Sequence, residues 1–355
     1  MLGLIAPLVI YAVVLVLHLV VPGRWVDGYV RGPDGAPLRY RLNGLLVAIV
    51  TVGLWAAACW RGLLPWGWLY EHRIEGAISA CVLGLVFTFA IVLPAAPVKG
   101  FFADLYLGRI ENPRWGGGRV DAKMFLYLVG AVMLELNVLS FAGHHVVTHP
   151  DDPSPGVFLH AALFSFFLCE YLFFERVHLY TYDLFAERVG FKLGWGCLVF
   201  YPYFYCIGLW GVADKPNPHQ PTFMLVVAAL VFFSGWALSR GANLQKFHFK
   251  LDPTKKLFGI IAPEVVEQGG KRLLCSGFWR LSRHINYLGE ILMATGLTLA
   301  LGWPTSVLPW LYPLYYVVLL FPRERDDDKR CAEKYGPLWV EYCKRVPHRI
   351  IPFVY

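Results

Sequence analysis

Long apolar runs separated by short polar stretches set the pattern of this chain from its first residues. Nine runs stand out: Leu4–Val21, Leu42–Trp60, Ala77–Ala95, Met124–Ala142, Val157–Phe174, Leu193–Val212, Phe223–Leu238, Leu288–Leu301 and Val307–Phe321. A helix needs roughly 20 residues to cross about 30 Å of hydrocarbon, and most of these runs approach that length. The last two are short enough to be partly re-entrant. The pattern predicts an all-α, polytopic integral membrane protein with about nine to ten transmembrane helices. The first run lacks the basic start and small-residue cleavage site of a signal peptide, so it reads as a retained span.

Composition agrees. Hydrophobic residues make up 57% of the 355 and charged residues 16%, whereas soluble domains carry roughly 45–50% and about 25%. The charges that remain are unevenly placed. Arg24, Arg31, Arg39 and Arg41 follow the first run, and Lys99, Arg109, Arg114, Arg119 and Lys123 follow the third. A long basic stretch, Arg240 to His284, follows the seventh. The loop after the fourth run has no Lys or Arg, and the loop after the sixth has only Lys215. Short basic loops stay cytoplasmic, so the expected topology has the N-terminus outside and the C-terminal tail in the cytoplasm. Arg61 and Arg73, after run two, are a mild exception. The net charge of +7 is thereby explained without nucleic acid as a partner.

Eight cysteines show no CxxC pair and no metal-finger spacing. Cys59, Cys81, Cys169 and Cys206 lie in or near apolar runs and read as small packing residues, so no disulfide framework and no metal are expected. Residues 1–355 form a single membrane domain without repeats. Residues 1–239 are mainly spans, and residues 240–355 hold the densest polar chemistry. No GxGxxG follows a strand and no Walker loop occurs, which excludes Rossmann and P-loop nucleotide sites.

Three polar stretches carry candidate chemistry. In Arg240-Gly-Ala-Asn243-Leu-Gln-Lys246-Phe-His-Phe-Lys250, the two lysines are four apart and share one helix face. Paired ammonium groups suit phosphate, although lysines at a helix end also snorkel. The second stretch, Leu273 to Glu290, includes Leu274, Trp279, Arg283, His284, Asn286 and Tyr287 at the start of a span. Four hydrogen-bonding side chains so close together at a membrane boundary argue for a site. The third, Arg323-Glu-Arg-Asp-Asp327-Asp-Lys-Arg-Cys331-Ala-Glu-Lys-Tyr335-Gly, places Arg323 and Asp327 on one helix face. A solvated charge run is the plain alternative there. The tail runs from Tyr342 through Arg345, Pro347 and Arg349 to Tyr355.

Together these stretches resemble the sterol reductase family: Δ14-sterol reductases, 7-dehydrocholesterol reductase, the Δ24(28) reductases and the reductase-like domain of lamin B receptor. The similarity covers nearly the whole chain. Upstream it includes Leu38–Gly44, Gly108-Arg-Ile-Glu-Asn112-Pro113-Arg114, Asp121-Ala-Lys123 and Thr181-Tyr-Asp183 to Gly190-Phe191. The resemblance implies NADPH held in a C-terminal pocket. Matching positions are Lys246, Lys250, Leu274, Trp279, Asn286, Arg323, Asp327 and Tyr335; His284 and Tyr287 join them from the same cluster. It also implies reduction of a sterol double bond by proton addition followed by hydride transfer. Tyr205 falls on the family's tyrosine, Asp327 could supply or polarise the proton, and Glu175 and Asp183 are further acids on the substrate side.

The chain departs from the family pattern in three ways. The first family span is expected to be missing; Asp326-Asp327 stands where Arg-Asp is usual; an acid near Cys197 and a Glu-Leu-Arg segment after Lys123 are absent. Arg240–Asn243 and the tail resemble Δ14 reductases, Leu193–Gly196 the Δ7 enzyme, and Thr181–Gly190 with Pro309–Pro313 the side-chain reductases. Δ14 is slightly favoured, with side-chain Δ24/Δ24(28) and Δ7 as alternatives. The rivals from other classes are a non-catalytic sterol-binding protein and an isoprenylcysteine-type methyltransferase. The expected partners are a sterol and membrane lipid. The expected location is a bacterial inner membrane, or the endoplasmic reticulum in a eukaryote.

Overall fold

The computed structural model describes residues 2–355 and is mostly helical. Six helices are long and apolar enough to cross a membrane: Leu2–Val20, Arg73–Val92, Ala122–Thr148, Pro155–Phe173, Phe191–Val212 and Thr222–Leu251. Gly44–Trp60 and Ile285–Ala300 are apolar but shorter. Val307–Tyr335 begins apolar and ends charged. All nine predicted runs therefore fall on helices, but only six of those helices have the full length and apolarity of a span. The all-α expectation also needs amending, because three small antiparallel hairpins are present. They pair Arg24–Arg31 with Pro37–Leu42, Arg114–Trp115 with Val120–Asp121, and Val265–Gln268 with Lys271–Leu274. All lie in polar loops, where the apolar pattern carried no signal.

The chain forms two compact units, Met1–Pro218 and His219–Tyr355. The first is built around Ala122–Thr148. Within this helix 83% of the apolar window is buried, against half or less in the other five, so it is the hub and the others present lipid-facing sides. Asp121 caps it by accepting the Met124 amide at 3.1 Å, as an N-terminal carboxylate should.

The span Phe191–Val212 is not continuous. Gly196–Phe200 is wound as a π-helix and is followed by Pro202. Proline has no N–H, so the carbonyl four residues earlier, Leu198, loses its helical donor. The Tyr11 hydroxyl donates to that carbonyl instead, and Asn137 Nδ2 donates to the Pro202 carbonyl at 2.9 Å. An interruption inside a bilayer must be satisfied by side chains in this way.

In the second unit, Thr222–Leu251 and Ile285–Ala300 pack with almost no space between backbones. A Cβ on Gly235 would lie 2.6 Å from the Gly289 carbonyl oxygen, and one on Gly296 would lie 2.7 Å from Phe232. Small residues at such a seam allow close helix approach in membranes. A larger residue at Gly235 or Gly289 would separate the helices.

Candidate functional site

The seam carries the polar ends of its two helices together. Thr222–Leu251 continues well past its apolar run, so Lys246 and Lys250 sit on its last two turns, both solvent-exposed. Gln245, one residue earlier, is buried and clamps the next segment. Its Nε2 donates to the Ser276 carbonyl at 2.9 Å and its Oε1 accepts the Phe278 amide at 3.0 Å. That clamp presents Trp279, whose Nε1 donates to the Ala242 carbonyl at 2.9 Å. Lys246 Nζ lies 5.2 Å from the Trp279 ring centroid, within cation–π range. Leu274 is half-buried against the Ala242–Trp279–Ile285 cluster.

His284 and Asn286 follow at the start of Ile285–Ala300. His284 stacks on Tyr287 at 4.9 Å. The buried atoms His284 Nε2 and Asn286 Oδ1 have no hydrogen-bond partner. An unpaired buried polar atom costs about 1–3 kcal/mol, so two neighbouring ones ask for a polar guest. Burial, with the nearby charges of Lys246, Arg283, Arg323 and Arg349, pushes the His284 imidazole down to about 3. It is therefore neutral at physiological pH, and one ring nitrogen can accept.

Val307–Tyr335 supplies the acidic side. Tyr287 Oη donates to Asp327 Oδ2 at 2.8 Å, and Arg330 pairs with Asp327 at 3.3 Å. Arg323 lies one turn earlier on this helix. Tyr335, at its end, stacks on Trp339 and has Lys334 Nζ 5.1 Å and Lys271 Nζ 5.8 Å from its ring.

Three residues of these motifs received no role from the sequence: Glu324, Asp328 and Arg349. Glu324 is fully buried and pairs with Arg349 at 3.3 Å; Asp328 pairs with Arg349 at 3.7 Å and with Arg283 at 3.6 Å. The tail is thereby strapped to the segment before His284. The Arg283 and His284 amides donate to the carbonyls of His348 and Arg349 at 2.9 and 2.8 Å. Glu324, Asp327 and Asp328 recur at i, i+3 and i+4, the spacing of one helix face, and that signal was available in the sequence.

Tyr205, Glu175 and Asp183 belong to the first unit. Tyr205 ends the short helix Tyr201–Phe204, after the proline break, with its ring 4.8 Å from that of Tyr201. Glu175 is buried and its Oε2 accepts the Gly44 amide at 3.0 Å, anchoring the start of Gly44–Trp60. Burial raises its carboxyl to about 7 against the opposing effect of that bond. Asp183 lies in the short helix Tyr182–Phe185, and the buried Lys123 nearby donates to the Leu184 carbonyl at 2.8 Å. Among the described residues, no group of three or more His, Cys, Asp or Glu side chains could hold a metal.

These features define a multi-helix membrane protein whose second unit gathers exposed cations, an indole and the unpartnered polar atoms of His284 and Asn286 in one cluster. Residues 5–355 match the model of the Ergosterol biosynthesis ERG4/ERG24 family, and the chain belongs to that sterol reductase family. It is 33% identical over 365 residues to Delta(14)-sterol reductase of Arabidopsis thaliana, covering 98% of this chain and 95% of the relative. It is 32% identical to Delta(14)-sterol reductase of Methylotuvimicrobium alcaliphilum, covering 96% and 80%. To Delta(14)-sterol reductase of Dictyostelium discoideum it is 31% identical, covering 95% and 74%.

Proposed function

We propose that the protein reduces a carbon–carbon double bond of a sterol, at Δ14, with NADPH as the reductant. The observation that carries the cofactor reading is the pair of buried, unpartnered atoms His284 Nε2 and Asn286 Oδ1 beside Trp279 and Lys246. The Δ14 assignment is favoured by the names of the relatives, several of which are Delta(14)-sterol reductases.

The chain's own residues fit such a cofactor. Lys246 and Lys250, exposed and one turn apart, would meet phosphate oxygens, with Leu274 beside them. The Trp279 indole, fixed by its bond to Ala242, would pack on a ring, with Tyr335 at the far end of the cluster. Asn286 and the neutral His284 would accept and donate to an amide, and Arg323 with Asp327 would orient it. When bound, NADPH supplies a hydride to one carbon of the alkene. The protein must supply the other hydrogen as a proton. Tyr205 is the proposed donor, with Asp327 as the alternative acid. Protonation leaves a cation on the sterol, hydride addition neutralises it, and water returns a proton to the donor. Asp327 is held in register by Tyr287 and Arg330, so loss of Tyr287 loosens the acid.

The test is gas chromatography–mass spectrometry of sterols after incubating membranes containing the protein with NADPH. A Δ8,14-sterol, 7-dehydrocholesterol and a Δ24 or Δ24(28) sterol would be offered separately, each beside Asp327→Ala. Reduction of the Δ8,14-sterol alone, lost in the variant, is the expected result. Reduction of another bond would move the assignment within the family. NADPH binding with no product from any sterol would favour a binding role.

A further inference from the structure

We propose that residues 252–263, with the cleft they close, seat an anionic phospholipid of the surrounding membrane. A cleft of about 220 Å³ lies between this loop and the last turns of Thr222–Leu251. Its walls include Leu244, Phe249, Leu257 and Ile261, while Gln245, His248, Lys255 and Lys256 supply its polar groups. No carboxylate lines it. Lys255 Nζ stands 3.2 Å from His248 Nδ1, which gathers the basic groups together. Apolar walls with cations and no anion suit an anionic amphiphile.

The loop is shaped to present apolar side chains outward. Phe258 and Gly259 take positive φ values of 52° and 73°, and Leu257 bridges Ile261 across the turn. A non-glycine residue rarely adopts that conformation. As a result Phe258 is 74% and Ile260 81% exposed, in a loop outside any span. Apolar side chains so exposed, flanked by lysines, fit the boundary of a lipid layer rather than water.

Depth along the helix agrees. The apolar run ends near Leu238, and at 1.5 Å per residue Leu244 to Phe249 lie about 9–16 Å further along. Headgroups occupy several Å beyond the hydrocarbon on each side, and a lysine side chain spans the remainder. The cleft is also distinct from the cofactor cluster. At 100° per residue, Leu244 and His248 face away from Lys246 and Lys250, and Phe249 lies at the edge between the two faces. Leu274 and the clamping Gln245 are walls that the two places share.

The experiment is hydrogen–deuterium exchange of the 252–263 amides in the full-length protein. Nanodiscs of phosphatidylcholine alone would be compared with nanodiscs also containing phosphatidylglycerol, using exchange in Ala122–Thr148 as the internal check on folding. The anionic lipid is expected to slow loop exchange by at least about five-fold, the effect of a single lysine near such a surface. Lys255→Ala/Lys256→Ala is expected to erase the lipid difference, and Phe258→Ser to reduce it. Equal exchange in the two lipids would overturn the proposal. So would matching protection by glycerol 3-phosphate in detergent, which would mark a soluble phosphate site instead.

Discussion

Three buried carboxylates of the first unit contrast with three on one helix of the second. Asp104, Asp121 and Glu175 each bind backbone, although Asp104 and Asp121 also hold Arg109 and Arg114. Asp104 accepts the Val98 and Lys99 amides at 2.9 and 2.8 Å, Asp121 accepts Met124, and Glu175 accepts Gly44. In the second unit Glu324, Asp327 and Asp328 bind side chains: Arg349, Tyr287, Arg330 and Arg283. A carboxylate that caps backbone fixes a loop or helix end in one place. A carboxylate that holds another side chain sets the position and charge of a group that can itself act. The contrast separates carboxylates that fix the scaffold from carboxylates that set the candidate site.

The sharpest test of that contrast is to remove one carboxylate of each kind. Asp327→Ala is expected to lower sterol reduction by roughly 10²-fold, in the range of a lost acid–base contact, with little change in thermal stability. Asp104→Ala should do the reverse, because it leaves two amides and the buried Arg109 at 2.9 Å without their acceptor. The loss of stability is read as a fall in the melting temperature of the detergent-solubilised protein. Equal activity losses at equal stability would break the comparison.

A smaller effect is expected at the strap. Glu324 is fully buried, but Arg349 is 36% exposed, so solvent moderates the cost of breaking the pair. Glu324→Gln is expected to raise the KM for NADPH about ten-fold while changing kcat little, because the strap positions His284 and Asn286 rather than the reacting atoms. A fall in kcat with unchanged KM would assign Glu324 to the chemistry instead.

Glu175 gives a pH signature. Burial raises its carboxyl from the ordinary 4.5 to about 7, so the folded state holds the proton more tightly than the unfolded chain. Its contribution to stability is fully present below about 4.5 and declines as pH rises towards 7, by roughly 3 kcal/mol. Glu175→Gln is expected to flatten the melting temperature between pH 5 and 8. An unchanged slope would assign the pH dependence to other groups.

The membrane helices were legible because apolar run length is a direct physical requirement of the bilayer. Run length could not show the break at Pro202, since Leu193–Val212 is apolar throughout; the donation by Tyr11 to the carbonyl that the proline strands, and by Asn137 to the Pro202 carbonyl, are tertiary facts. The hairpins were invisible for the opposite reason, lying in polar loops with no apolar period. In the candidate site, Lys246, Trp279, Asn286 and Asp327 were expected because their motifs are dense and specific. Glu324, Asp328 and Arg349 stood in the same motifs, but their roles depend on the tail returning to Arg283 and His284. That return is set by backbone hydrogen bonds over more than sixty residues of separation, which no local spacing encodes.

The smallest expected effect concerns His284, and it shows what the cationic surroundings do. The imidazole is held down at about 3 by burial and by Lys246, Arg283, Arg323 and Arg349. The unfolded chain therefore binds a proton below about 6.5 that the folded state refuses. The stability tied to this group is complete above that pH and falls as the medium becomes more acidic. Between pH 6.5 and 8 the side chain is neutral, so it acts as a hydrogen-bonding group and not as a titrating acid. His284→Gln keeps a neutral donor and acceptor. It is expected to change the KM for NADPH by no more than about three-fold, and to leave the shape of the pH–rate profile over that window unaltered. A profile that loses an inflection in the variant would mean His284 exchanges a proton during turnover. The cations around it would then have to be balanced by charge that arrives with the substrate or the reductant.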